Sequence, residues 1–315
     1  MPKTSSRAAG RSFMRRGIGR GALLALFSAL LGLYVGGPVT WLASSSFKTE
    51  AEITARPPTW IPKQPTAGNF AAIFGSDAEP VTYETRRQGD AATSGRFLPS
   101  GAANLLPALA NSLIVGIWVA ALNVLLSLTA AYAIAVIDFR GRQGTLYTIL
   151  VTRVIPDIAL IVPLFLAVRN FGLVNTKLAL VLTYLAVTLP FTIFILINYF
   201  ESVPRDLYRA ARVDGCAHLQ ALWHVYLPLA MPAIVASLMF AFLTSWNEFI
   251  FALILTQDIK AQTLPIVISG FVMDFTTSFS FINAAGVIAI VPPVLLAMLF
   301  ERYIVSGLTA GAVKG

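Results

Sequence analysis

Six apolar runs, at 21–43, 108–137, 145–168, 178–200, 232–256 and 283–305, constrain this chain more than any other feature of its sequence. A hydrocarbon layer about 30 Å thick takes roughly 20 apolar residues to cross as a helix, and every run is long enough. Only a helix or a closed barrel satisfies the backbone N–H and C=O groups in lipid, and unbroken runs of this length form helices. The expected fold is therefore all-α and integral to a membrane, with six transmembrane helices. Charge agrees: only 12% of residues are charged and 57% are hydrophobic, whereas a soluble domain is roughly a quarter charged.

The net charge of +8 does not point to nucleic acid. Lys3, Arg7, Arg11, Arg15, Arg16 and Arg20 crowd ahead of the first run, where basic residues orient a helix. Ala43-Ser44-Ser45 would suit signal cleavage, but a signal's apolar core is about 7–15 residues and this run is longer, so an uncleaved anchor is expected. The chain then divides into a cytoplasmic basic N-terminus (1–20), a first span (21–43), an extracytoplasmic loop (44–107), a core of five spans (108–305) enclosing a cytoplasmic loop at 201–231, and a cytoplasmic tail (306–315). Arg140, Arg142, Arg205, Arg209, Arg212, Arg302 and Lys314 fall on the side of the N-terminus. The short loops opposite hold fewer basic residues, Arg169, Lys177 and Lys260, which places both termini in the cytoplasm.

The 44–107 loop is polar and proline-rich, with Trp60 and Phe70 as its expected anchors. Its 75–101 stretch lacks apolar periodicity and reads as an insertion. Catalytic chemistry is poorly supplied. One cysteine, Cys216, and two histidines, His218 and His224, allow no intrachain disulfide, no CxxC site and no metal-ligand cluster. Neither a Ser-His-Asp set nor a phosphate-cradling glycine loop is present. Gly141-Arg142-Gln143-Gly144 lacks the lysine and hydroxyl that such a loop needs. No catalytic, cofactor-binding or metal residue is expected in this chain.

The cytoplasmic loop is the most informative stretch. Pro204 and Asp206 suit the start of a helix, whose Leu207, Ala210 and Ala211 recur at i, i+3 and i+4. Gly215 can stop it by adopting positive φ. A second helix from about Ala217 to Leu227 would align Leu219, Leu222, Trp223 and Tyr226 before Pro228 and Pro232 shape re-entry into the membrane. The expectation is a short amphipathic helical hairpin. An alternative is a hairpin lying on lipid, with Arg205, Arg209 and Arg212 at anionic headgroups.

Ala210, Ala211, Asp214, Gly215, Leu227 and Pro228 resemble the cytoplasmic EAA loop of ABC importer permeases. Asn111-Ser112, Pro163-Leu164, Gly172-Leu173-Val174-Asn175-Thr176, Trp246-Asn247-Glu248-Phe249 and the tail from Arg302 to Gly315 extend the likeness to the second, six-helix subunit of maltose-type carbohydrate permeases. Two positions depart from it: Arg209 replaces the family glutamate, and Cys216 replaces the common alanine. The resemblance implies a type I importer permease fold in a bacterial or archaeal inner membrane. It also implies a second permease subunit, paired with this one as a heterodimer in this family's form, two copies of an ATPase subunit that bind ATP and Mg, and an extracytoplasmic solute-binding protein. The solute it implies is a di- or oligosaccharide, with a polyol or glycerol phosphate as alternative. Residues Asp206, Leu207, Arg209, Ala210, Ala211, Asp214, Gly215, Cys216, Leu219, Trp223, Leu227 and Pro228 would form the ATPase-coupling element. A self-contained secondary transporter is the competing class, but no internal repeat supports it.

Ionisable residues inside a span cost at least about 2.5–3.5 kcal/mol on insertion scales, which draws attention to Arg153, Asp157 and Glu248. Arg153 and Asp157 stand one helical turn apart and could neutralise one another or line a solute route. Trp246, Asn247 and Glu248 combine an apolar ring face with an amide and a carboxylate, groups suited to a sugar.

Overall fold

The computed structural model describes residues 7–75, 102–272 and 278–312, with side chains from Leu23 onward and up to Tyr303. The insertion at 75–101 lies outside them apart from Gly75, as do residues 1–6 of the basic N-terminus and 313–315 of the tail. Every regular element among the described residues is helical. They are α1 (Arg7–Ser46), α2 (Glu50–Thr54), α3 (Gly68–Phe74), α4 (Leu105–Val136), α5 (Arg142–Thr152), α6 (Ile161–Asn170), α7 (Lys177–Ser202), α8 (Arg205–Val213), α9 (His218–Leu229), α10 (Met231–Trp246), α11 (Ile250–Leu255), α12 (Leu264–Ser269) and α13 (Phe279–Ala312). Four helices are long and apolar enough to cross a membrane, or up to six if each of two bent pairs is one span.

Two compact units make up the chain, Met1–Ala71 with Ser278–Val287 and Ala72–Thr277 with Ile288–Gly315. In the first, the segment after α1 is folded rather than loose. Lys48 is buried, donates through Nζ to the Thr59 carbonyl and lies 4.4 Å from the Trp41 ring centre. Trp60 meets Trp41 edge-on at 5.0 Å, and Phe70 meets Phe47 at 5.2 Å, so both expected anchors are engaged. Asn69 donates to the Ser46 and Lys48 carbonyls at 2.8 and 3.0 Å. Glu52 accepts from Thr59 Oγ1 at 3.0 Å and the Lys63 N–H at 2.8 Å. Glu50 accepts the Phe279 and Ser280 N–H groups at 3.1 and 2.9 Å, placing a negative charge on the positive end of α13.

The second unit is centred on α4, which packs along α7 and α10. Small residues permit this: a Cβ on Gly116 would come within 3.0 Å of the Phe242 ring, so glycine lets α4 and α10 approach. Asn123 Nδ2 donates to Thr188 Oγ1 at 2.8 Å between α4 and α7, both side chains fully shielded. Interhelical hydrogen bonds of this kind average about 0.6 kcal/mol in a bilayer.

Two expected spans are not single straight helices. The run 145–168 divides into α5 and a 3-10 turn (Asp157–Leu160) leading into α6, with a 94° bend between the halves. Pro156 takes φ −61°, ψ 135°, which is extended backbone, and its ring cannot donate to the preceding turn. The run 232–256 ends as a helix at Trp246 and restarts at Ile250. In contrast, Pro190 sits inside α7, and Pro292 and Pro293 inside α13, without ending either helix.

Candidate functional site

The hairpin at 204–229 is built from its punctuation outward. Asp206 lies in the first turn of α8, which follows Pro204. Gly215 has φ +86°, a conformation that costs an L side chain about 1–2 kcal/mol. With Gly215 so placed, the Cys216 N–H reaches the Ala211 carbonyl at 2.9 Å and the Gly215 N–H reaches the Arg212 carbonyl at 3.2 Å, closing the end of α8. Arg212 adds a bond to the Cys216 carbonyl at 2.6 Å. The Ala217 N–H donates to the Gln220 side chain at 2.7 Å at the start of α9. Tyr208 and His218, one from each helix, share a 2.8 Å hydrogen bond and stack.

The second helix contains a π turn over Leu222–Tyr226. Its four apolar residues do not share one face, as the sequence spacing implies, but form two rows of i, i+4 pairs. Leu222 and Tyr226 are buried, while Leu219 and Trp223 are exposed by 62% and 51%. The inward row joins the core. Tyr226 meets Tyr132 of α4 at 5.2 Å and Phe200 of α7 at 5.5 Å, and those two meet each other at 6.3 Å, all edge-to-face. Tyr132 also donates to the His218 carbonyl at 3.0 Å, and Tyr199 to that of Leu229 at 2.6 Å.

On α8 only Ala211 is buried; Ala210 and Asp214 are exposed, as is Pro228, and Cys216 and Leu227 are partly covered. Leu207 and Val213 stand exposed by 42% and 86%. Arg209 pairs with Asp206 at 3.1 Å, both heavily exposed, so its charge is met within its own helix. At the base, Arg142 bonds Glu201 at 2.9 Å and approaches Asp138 at 3.7 Å, and Arg205 lies 3.9 Å from Asp138. Exposed pairs of this kind contribute about 0–1 kcal/mol each.

The polar residues in the spans are arranged differently from the spacing. Arg153 and Asp157 do not pair, because the bend at Pro156 removes the helical turn that would have aligned them. Arg153 instead donates to the Val187 carbonyl at 3.1 Å and lies 5.6 Å from the Phe191 ring centre. Asp157 lines a cleft of about 500 Å³, counted with the space at its mouth, together with Tyr184, Thr188, Thr244, Glu248 and apolar neighbours. Trp246 is only 4% exposed and stacks on Phe242, so it offers no free ring face to a sugar within this chain. Asn247 is exposed and turns back to the Leu243 carbonyl at 2.9 Å. Of the three, only Glu248 reaches the cleft.

A family model described as binding-protein-dependent transport system inner membrane component matches residues 123–310, more than half of the chain. The chain belongs to this family. The matched span of this inner membrane component includes the hairpin and every cleft residue named above. Among relatives, the sulfoquinovosyl glycerol transport system permease protein SmoH of Agrobacterium fabrum is 36% identical over 291 residues, 92% of this chain and 93% of its own. The trehalose/maltose transport system permease protein MalG of Thermococcus litoralis is 40% identical over 208 residues, 66% of this chain and 75% of its own. The fold is shared with a chain of a bacterial ABC transporter that imports the acidic polysaccharide alginate. The TM-score is 0.69, with 23% identity over 96% of this chain and 100% of that one.

Sequence spacing misses Tyr184, Thr188 and Thr244 in the cleft and Tyr132 and Phe200 beneath the hairpin. One signal was available for the cleft: Tyr184 and Thr188 stand four residues apart, on one face of a largely apolar run. The aromatic contact has none, since a tyrosine in a span is compatible with any face.

Proposed function

We infer that this inner membrane component is a permease subunit of an ATP-driven importer, and that its solute is a di- or oligosaccharide. Counting α5 with α6 as one span, and α10, bent by 84° from α9, with α11 as another, gives six crossings with both termini in the cytoplasm. A second permease subunit completes the solute route, an extracytoplasmic binding protein delivers the sugar, and two ATPase subunits bind ATP and Mg. The carrying observation is the hairpin: Leu207, Val213, Leu219 and Trp223 are exposed on a base joined to α4 and α7 by Tyr226. Apolar groups held out on so rigid a support suit docking into a partner's cleft. The sugar assignment is supported by relatives named for trehalose/maltose and diacetylchitobiose transport.

The test is purification of the chain with its partners, with uptake of labelled trehalose, maltose and diacetylchitobiose into proteoliposomes. An ATPase subunit should copurify, and one of the sugars should accumulate only with ATP and the binding protein. Ala211→Glu and Gly215→Arg should each lower ATPase recovery at least about tenfold, by burying a charge unpaired or by forcing a left-handed backbone on a bulky residue. Unchanged recovery and uptake in both variants would remove the coupling assignment.

A further inference from the structure

Glu248 invites the reading of a sugar ligand, an acid inside an apolar span. Its bonds give it other work. Oε1 accepts the Phe251 N–H at 2.7 Å, and Oε2 accepts the Ala252 N–H at 3.0 Å and the Tyr184 hydroxyl at 2.6 Å. These are the N–H groups that a helix restarting at Ile250 leaves without intrahelical partners. In an apolar surrounding an unmet N–H is costly, so the break after Trp246 needs an acceptor at this place. A carboxylate offers about four acceptor positions, and three are occupied.

The far end of α11 is held as well. The Asn175 N–H donates to the Leu255 carbonyl at 2.8 Å, and the Asn175 side-chain oxygen accepts from Gln257 and Asp258 at 3.0 and 3.2 Å. A six-residue helix is thus fixed at both ends, with Ile250 and Phe251 forming part of the cleft wall.

We propose that Glu248 is a positioning residue: with Tyr184 it clamps the break between α10 and α11 to α7 and so sets the wall of the cleft, without itself serving as the solute's ligand. This rests on the proposed function and takes the cleft to be this chain's share of the solute route.

The test uses the complete complex in lipid nanodiscs and proteoliposomes, comparing Glu248→Gln, Tyr184→Phe and the double variant. Hydrogen exchange in peptides spanning 249–255 should quicken at least about tenfold in Glu248→Gln and about threefold in Tyr184→Phe. The double variant should exchange no faster than Glu248→Gln alone, because tyrosine acts through the carboxylate. With whichever of the three sugars is accumulated, maximal uptake should fall about tenfold while the half-saturating concentration stays within twofold. Unchanged exchange would overturn the clamp. A raised half-saturating concentration with maximal uptake preserved would overturn it too, since that pattern belongs to a residue that binds the sugar. Failure of the unaltered complex to accumulate any sugar would count against the proposed function, and the exchange measurement would still decide the clamp.

Discussion

Gly215 shows at the scale of one residue how far local chemistry reaches. Any side chain there must hold φ near +86°, so Gly215→Val should destabilise the hairpin by about 1–2 kcal/mol or more, read as faster exchange in peptides covering 211–218. Gly116 is constrained by a neighbour instead of by its backbone: Gly116→Val would press on Phe242, costing about 1–3 kcal/mol, measurable as a lowered midpoint of thermal unfolding in detergent. Two carboxylates outside the spans carry a pH dependence. The Lys63 N–H bonded to Glu52, with help from Thr59, holds that carboxyl below its ordinary 4.5. The Lys260 N–H and then the Asn175 side chain do the same for Asp258, whose ordinary value is 3.8. A depressed folded-state value means stabilisation present above the ordinary range and lost as pH falls through the folded one. Protection from exchange at 59–63 and 256–260, taken relative to the intrinsic rate at each pH, should therefore hold at neutral pH and fall only on the acid side of those values, and Glu52→Gln should remove the pH step at the first.

Elements were legible in the sequence where one physical demand dominates. Lipid demands runs of about 20 apolar residues, and α4 and α7 lie close to the ranges their runs give. Gly215 and Pro204 mark the ends of α8 because positive φ and a fixed pyrrolidine are backbone demands, met locally. The bends were not legible, because proline within an apolar run does not decide its own outcome. Pro190 stays inside a helix, whereas Pro156 ends one, and neighbouring helices settle which. The positions of Arg153 and Asp157 were lost with that bend, and the burial of Trp246 was not legible because an aromatic ring beside polar residues fits a packed interior as well as a sugar platform. One element-scale consequence can be measured. Glu50 alone among the described carboxylates bonds the first N–H groups of α13, so Glu50→Ala should loosen residues 279–283 by about 0.5–2 kcal/mol, seen in exchange of that segment with the middle of the helix unchanged.

Over the molecule, the long apolar helices differ in how much of each lies inside the fold: 56% of the α7 window is buried, 39% of α4, 17% of α13 and none of α1. Of these, α7 and α4 belong to the second unit, and the fold encloses α7 further than α4. The native tryptophans sample burial within that unit, since Trp118 on α4 is 57% exposed and Trp246 on α10 only 4%. In single-tryptophan variants, brominated lipid should quench Trp118 several-fold more than Trp246, and equal protection of the two would mean that a protein neighbour covers that face of α4. The rings of Tyr132, Phe200 and Tyr226 bear on the same scale in another way. Meeting edge to face, they mesh like the teeth of three small gears on three separate shafts. Three gears each meshed with both of the others cannot turn, so the triangle of rings ties α4, α7 and α9 together as one lock.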